Sequence, residues 1–319
     1  MSKKIIDLFC GAGGLSLGFE KAGFEIELAV DMWDDAIKTY NHNHKHKVAE
    51  CRDIHDLSDE YLSSLQGKIT GVIGGPPCQG YSTVGTRNVN DPRNHLYLEY
   101  CRVVEKIDPK FFLIENVRGL LTLGKGVFKD DIIDRFSKLG YKVSYKLLNA
   151  SDYGVPQNRY RVFFIGIKDN CFEFPDKFSY KVSCKEALSD LPSLDVYDLF
   201  SDIYSSPELT NHEPTRHTNQ TKEIISMIPD GGKISDLPEE YWSIRKYNKA
   251  FQRMNSNLPS NTIDTGHRNY FHYEESRVTS VRESARIQSF PDDFEFLGSK
   301  TSQYKQVGNA VPPLLAEVI

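Results

Sequence analysis

Four short segments hold the residues best suited to chemistry. Gly74-Gly75-Pro76-Pro77-Cys78-Gln79-Gly80-Tyr81-Ser82 follows an apolar run. Two prolines with fixed φ stiffen the approach to a thiol, whose thiolate is the best side-chain nucleophile near neutral pH. Glu115-Asn116-Val117 ends another apolar run. A carboxyl group at a buried strand end has its charged form disfavoured, so it could donate a proton to a ring nitrogen. Gln157-x-Arg159-x-Arg161 opens a third run. Alternate residues of a strand share one face, so both guanidiniums are expected to point the same way, toward a carbonyl oxygen, a phosphate or a carboxylate. Asp7-Leu8-Phe9-Cys10-Gly11-Ala12-Gly13-Gly14-Leu15 carries a strand into glycines and then a helix. Its spacing fails the Gly-x-Gly-x-x-Gly fingerprint of dinucleotide binding. Asp31 and Asp53 follow at the ends of the next strand-like runs, where carboxylates can hold ribose hydroxyls and an adenine amino group. An adenosine-containing cofactor without a pyrophosphate fits this better than NAD. Taken singly, each segment has a bland counterpart: a structural cysteine, a solvated acid, a charged edge strand, a glycine turn.

The elements that must position these groups alternate. Lys4–Phe9, Phe24–Val30, Ile69–Gly74 and Phe111–Glu115 read as strands. Helical spacing runs from Leu15 to Ala22, over Asp34–His42, over Leu96–Ile107 ahead of Pro109, and over Val127–Leu139 ahead of Gly140. Such alternation predicts an α/β fold with a doubly wound, mostly parallel sheet and ligands at the carboxyl ends of its strands. Tyr141–Leu148 and Tyr160–Ile167 are joined by a loop too short for a helical crossover, so they are expected to form an antiparallel edge. After Lys168 the alternation fades and prolines recur from Pro175 to Pro259, which suggests a second, small, irregular domain. Helical periodicity returns near Arg277, before Gly308-Asn309-Ala310-Val311-Pro312-Pro313.

Composition narrows the class. Asp plus Glu is 44 and Lys plus Arg is 39, for a net charge of −5, so any nucleic-acid partner must be met by a local basic patch. No run approaches the roughly 20 apolar residues of a spanning helix, and the start runs straight into a strand-like segment, so no secretory signal is expected. Cys10, Cys51, Cys78, Cys101, Cys171 and Cys184 include no Cys-x-x-Cys. Reduced thiols in a cytoplasm are expected, with no zinc or redox motif. His42-Asn43-His44-Lys45-His46 lacks the partners a metal site would need, and no metal is expected.

Taken in order, the segments resemble the bacterial DNA (cytosine-5)-methyltransferases, the modification enzymes of restriction–modification systems. The matching stretches are Asp7–Phe19, Asp31, Asp53, Gly74–Ser82, Glu115–Val117, Gln157–Arg161, Arg282–Pro291 and Gly308–Pro312, which span nearly the whole chain. The resemblance implies a Rossmann-like fold that binds S-adenosylmethionine. The cofactor would lie against Phe9, Cys10, Gly11, Ala12, Gly13, Gly14 and Leu15, with its ribose on Asp31 beside Met32. Its adenine would meet Asp53 and Ile54, and Pro76, Leu96, Asn309 and Val311 would complete the pocket. It also implies a cytosine flipped out of double-stranded DNA. Cys78 would attack its ring carbon 6, Glu115 would engage ring nitrogen 3, and Arg161 would hold the carbonyl at position 2. Arg159 would support Cys78 or nearby phosphates, and the methyl group would pass to carbon 5. Two positions depart from the family's commoner pattern: Asp31 stands where Glu is frequent, and Arg52 precedes Asp53 where Gly is frequent.

The same resemblance assigns residues 1–178 and 277–319 to a catalytic and cofactor-binding domain and 179–276 to target recognition. Within 241–270, Arg245, Lys246, Lys249, Arg253 and Arg268 stand against one acid, Asp264, and interleave with Tyr241, Trp242, Tyr247, Phe251 and Tyr270. Basic groups find phosphates and planar groups read or replace bases. Arg245, Lys246, Arg253, Arg268 and Thr262, the last in a Thr-Ile pair, are the expected DNA contacts there. Ser82 and Arg87 join them from the loop after Cys78. A restriction endonuclease would be a functional pair without required contact, and a cytoplasmic monomer is the family expectation. An RNA methyltransferase of the same fold and a non-catalytic DNA-binding derivative are the competing readings. Thr262-Ile263 favours DNA, and the intact trio Cys78, Glu115 and Arg161 favours catalysis.

Overall fold

The computed structural model describes residues 3–77, 95–122, 126–194, 209–244, 251–266 and 270–319. The chain divides into two compact units. The first comprises residues 1–149, 160–176 and 316–319, and the second residues 150–159 and 177–315.

The first unit is built on seven strands: β1 (Lys4–Leu8), β2 (Glu25–Asp31), β3 (Ala49–Cys51), β4 (Gly71–Gly74), β5 (Phe111–Val117), β6 (Lys142–Asn149) and β7 (Tyr160–Ile167), in the order β3-β2-β1-β4-β5-β7-β6. The first five run parallel. β7 is antiparallel to both β5 and β6, as the short connection requires. The strand order reverses between β1 and β4, the switch point at which doubly wound sheets open a crevice. The predicted alternation holds: α1 (Gly14–Lys21), α2 (Asp34–Asn43), α3 (Asp59–Ser64), α4 (His95–Ile107) and α5 (Val127–Lys138) separate the strands.

β4 is fully buried, and β1 is buried from Ile5 to Leu8 and apolar there but for Asp7, as suits central parallel strands. Phe112 of β5 stacks on Phe136 of α5 at 3.8 Å and meets Tyr141 edge-on at 5.2 Å. These rings join Ile6, Leu8, Val72, Ile114 and Phe164 in one core cluster. The Tyr100 hydroxyl lies 2.9 Å from the Val72 carbonyl and 2.8 Å from that of Leu113. α4 is thereby tied to β4 and β5 at once.

The second unit is irregular, as the fading periodicity suggests. Among its described residues are short helices and isolated bridges: α6 (Cys184–Leu188), α7 (Asn219–Met227), α8 (Val281–Ile287) and α9 (Lys300–Asn309). Polar side chains compensate for missing ladders. Ser183 with Glu186 and Ser280 with Glu283 form capping boxes at α6 and α8. Ile224, Ile225, Ile228, Ile234, Leu237, Phe251, Phe271 and Val278 make a separate small core.

The packing crosses the boundary expected at 276/277. Arg277 binds Glu275 on one side at 2.6 Å and Glu283 on the other at 2.8 and 2.7 Å. By compactness, residues 277–315 therefore group with the stretch before them. Among the described residues no helix is long and apolar enough to cross a membrane.

Candidate active site

The parallel strands deliver their carboxyl ends to one edge of the sheet, and β7, being antiparallel, brings its amino end there. Val117 lies directly opposite Arg161 in the β5–β7 register, which places Glu115 and Arg161 as diagonal neighbours on one face. Arg161 Nε lies 2.9 Å from Glu115 Oε1, with both side chains largely buried. Arg161 Nη1 also donates to the Tyr160 carbonyl at 2.8 Å. The absence of a side chain at Gly75 leaves room for the carboxylate, since a Cβ there would stand 3.1 Å from Glu115 Oε2.

Asn116, to which the sequence reading gave no role, donates through Nδ2 to the Pro76 carbonyl at 2.9 Å. It ties β5 to the Gly-Pro-Pro loop that leads to Cys78. Its place inside Glu115-Asn116-Val117 was the available signal. Cys78 itself, with Ser82 and Arg87, lies outside the described residues, as do Arg245, Lys246 and Arg268.

β7 begins at Tyr160, so Arg159 stands one residue before the strand. Arg159 belongs to the second unit, is 1% exposed, and donates through Nη2 to the Gly308 carbonyl at 2.9 Å. Cys78, one of the groups it is expected to support, lies outside the described residues.

At the β1 end, Phe9, Gly11 and Gly13 adopt positive φ. The Gly13 φ of 89° favours glycine, and a Cβ there would collide with the His44 ring at 2.2 Å. Above Gly11 the space is open. Asp31 holds this loop: its Oδ2 accepts from Gly11 N and its Oδ1 from Trp33 N, each at 2.9 Å. Met32, 65% exposed, stands beside it.

Asp53 accepts from His55 N at 3.0 Å and approaches His55 Nδ1 at 2.6 Å. The backbone bond first, then the ring, holds its carboxyl below the usual range. Cys10, Ala12, Leu15, Ile54 and Pro76 are buried, and Gly14 is the first residue of α1. Burial pushes the Cys10 thiol up, so it is a poor nucleophile. Leu96 packs against the main core.

Beneath the loop lies a buried polar chain that the sequence did not announce. Ser16 Oγ donates to Asp7 Oδ2 at 2.6 Å, and the Tyr40 hydroxyl reaches Ser16 at 3.0 Å. Burial pushes the Asp7 carboxyl up to about 7 against the pull of the Ser16 hydroxyl, with the Asp31 charge adding to it.

A partly exposed Phe9, an exposed Met32, two carboxylates on adjacent strand ends and an open glycine turn together suit a nucleoside with a flexible polar tail. Asn309 and Val311 belong to the second unit, the former exposed and the latter buried. Among the described residues no cluster could hold a metal ion.

Two expected DNA contacts are described. Arg253 is 4% exposed, and its guanidinium donates to the carbonyls of Ile225 (2.6 Å), Ile228 (2.9 Å), His272 (3.0 Å), Tyr273 (3.3 Å) and Glu275 (3.2 Å). It organises the second unit from within, and its assignment to DNA is corrected. A basic count along the sequence does not separate an internal guanidinium from a surface one. Thr262 spends its hydroxyl proton on the Asn158 carbonyl at 2.7 Å.

Comparison with known proteins gives concordant matches. The family model "C-5 cytosine-specific DNA methylase" matches residues 3–319. The Type II methyltransferase M1.HphI of Haemophilus parahaemolyticus is 43% identical over 100% of this chain and 86% of its own. M.DdeI of Desulfomicrobium norvegicum, also a Type II methyltransferase, is 37% identical over 99% of this chain and 87% of its own. Among solved structures, a protein described as a DNA modification methyltransferase encoded within an E. coli prophage aligns with a TM-score of 0.82. It is 29% identical, and the alignment covers 99% of this chain and 97% of that one. Spodoptera frugiperda DNMT2 aligns at 0.68 with 17% identity, covering 99% of this chain and 98% of that one, a likeness of fold alone.

Proposed function

Because the chain belongs to the C-5 cytosine-specific DNA methylases, and so methylates carbon 5 of cytosine in DNA as a modification enzyme of the Type II kind, we propose that Cys78, Glu115 and Arg161 carry the reaction. The observation that supports this best is the Glu115–Arg161 pair at 2.9 Å on the sheet edge, joined through Asn116 to the loop that precedes Cys78.

The target base leaves the stack, since its ring atoms are out of reach inside a duplex. The Cys78 thiolate adds to ring carbon 6. Glu115 donates a proton or a hydrogen bond to ring nitrogen 3, which draws electron density out of the ring and makes carbon 6 electrophilic. Arg161 orients Glu115 and holds the carbonyl at position 2. With carbon 6 saturated, the electron pair resides on carbon 5, which takes the methyl group. Loss of the carbon-5 proton to a base then expels Cys78 and restores aromaticity.

S-Adenosylmethionine, the methyl donor the family uses, would supply an electrophilic methyl group on sulfonium. Phe9, Gly11, Asp31, Met32, Asp53, Asn309 and Val311 are the residues that would hold it. Asp31, with both oxygens already engaged by the loop, would keep lone pairs for ribose hydroxyls. The segment 179–276 would carry target recognition. Methylation would shield host sites from a cognate endonuclease, in a monomer acting where the chromosome lies.

Bisulfite sequencing of DNA from cells expressing the protein tests this reading. Fully converted cytosines outside one short recurrent site, and protected cytosines inside it, are the expected result. Uniform conversion by a folded, expressed protein would refute it, and modification of bulk tRNA alone would move the substrate to RNA.

A further inference from the structure

We propose that Gln157 and Gln288 are positioning residues that clamp the loop at Gly308–Asn309 to the segment Thr262–Thr265, so that this segment sets the affinity for S-adenosylmethionine. The inference rests on the reading above, in which Asn309 borders the cofactor. All the residues concerned lie in the second unit.

Both glutamines are fully buried. The Gln157 Oε1 accepts from Ile263 N at 2.8 Å, and its Nε2 donates to Gln288 Oε1 at 2.7 Å. The Gln288 Nε2 in turn donates to the carbonyls of Val307 at 2.8 Å and Ala310 at 3.3 Å. Chemistry fixes the direction of this relay. A backbone N–H can only donate and a backbone carbonyl can only accept, so neither amide can be turned round without breaking the chain of bonds.

The carbonyls caught at the far end belong to the last turn and cap of α9, where backbone partners run short, although Val307 also accepts from Ala310 N at 3.2 Å. Water or a glycine cap usually meets such groups. Here α9 ends on buried side chains instead, and Arg159 takes the Gly308 carbonyl between the two held by Gln288.

An independent contact reports the same junction. A Cβ on Gly308 would lie 2.4 Å from the Asp264 carbonyl oxygen and 2.6 Å from its carbon. Those are backbone atoms and cannot swing aside. The helix end and the Thr262–Thr265 segment therefore touch backbone to backbone, with Asn309 the next residue and exposed. Thr262 is itself anchored on the Asn158 carbonyl, one residue from Gln157. A shift of this segment on meeting DNA would be passed to Asn309 through buried, directional bonds.

Gln157→Met and Gln288→Met keep the side-chain shape and remove the relay. The measurement is the equilibrium dissociation constant of S-adenosylmethionine, KM for cofactor and for DNA, and kcat, alongside thermal unfolding. Each variant is expected to weaken cofactor binding and raise its KM roughly tenfold, with kcat at saturating cofactor and KM for DNA little changed. The double variant should be no worse than the worse single, because both break one link. Gly308→Ala, which wedges the junction apart without touching either glutamine, should show the same selective loss and serves if the methionine variants do not fold. Unchanged cofactor affinity in folded variants would overturn the proposal, as would a parallel rise in both KM values tracking lost thermal stability. Asn309→Ala separates the layers. If it weakens cofactor binding while the other variants do not, the clamp alone is refuted. If it leaves cofactor binding intact, the reading beneath the clamp falls as well.

Discussion

A carboxylate and a guanidinium meet diagonally across an antiparallel pair, and the proposed chemistry rests on them. Glu115 and Arg161 meet because β5 and β7 are in register at Val117 and Arg161. Replacing Glu115 by Gln removes the acidic proton while keeping the shape. Single-turnover methylation should slow by about 10²- to 10⁴-fold, the usual worth of a positioned general acid, with DNA affinity nearly unchanged. A variant as fast as the parent would remove Glu115 from the reaction. Arg253 predicts the opposite pattern. Its five carbonyl partners would be stranded in Arg253→Met, costing on the order of 3 kcal/mol in urea unfolding. The salt dependence of DNA binding should not move, whereas a reduced salt slope with full stability would return Arg253 to the DNA interface. These two arginines show the limit of reading residues singly. The place of Arg161 on a strand was legible because strand alternation is periodic. Arg253 was misread because burial depends on residues 19 to 28 positions away in the chain.

At the scale of elements, the strand-turn-helix around Gly11 and Gly13 was legible from the glycines alone, and so was the alternation that builds the sheet. What stayed hidden is what the loop stands on. Asp7, Ser16 and Tyr40 come from β1, α1 and α2, and no spacing rule joins them. Their consequence is a pH dependence with a definite sign. Asp7 titrates at about 7 when folded, against an ordinary 3.8, so the native state retains a proton that the unfolded chain has released. Stability from this group therefore declines as pH rises from about 4 to about 7 and is level above that. Asp7→Asn cannot lose the proton. In urea titrations, its stability relative to the parent should improve between pH 5 and pH 8, and a constant difference across that range would contradict the burial of an ionisable Asp7. Asn116 belongs to this scale too, because it fastens the end of one strand to the loop of another, an action visible only once both strands lie side by side.

The molecule as a whole pairs a regular unit with an irregular one, and the two were legible to different degrees. Hydrophobic periodicity carries the sheet. The second unit depends on long-range polar bonds, which leave little trace in a sequence, and so the expected boundary at 276/277 falls within one compact body. Its charged centre sets acid tolerance. Burial would raise the Glu283 carboxyl, but the Arg277 charge and its paired hydrogen bonds outweigh it and hold the value at about 2. Since the ordinary value is 4.5, this stability is complete above about pH 4.5 and is lost as pH falls toward 2. Glu283→Gln leaves Arg277 buried beside an uncharged partner. It should cost about 3–5 kcal/mol at neutral pH and flatten the acid limb of the unfolding curve, which circular dichroism can follow. An unaltered acid limb would place the titrating group elsewhere. On the proposed mechanism the central event is a bond between sulfur and a pyrimidine ring, and such a bond can be trapped. With S-adenosylmethionine and duplex DNA carrying 5-fluorocytosine in the target site, fluorine blocks the final elimination. Peptide mapping by mass spectrometry should find the nucleotide attached to Cys78, and Cys78→Ser should bind the DNA without forming the adduct. Active enzyme that yields no adduct, or an adduct on another residue, would contradict the account.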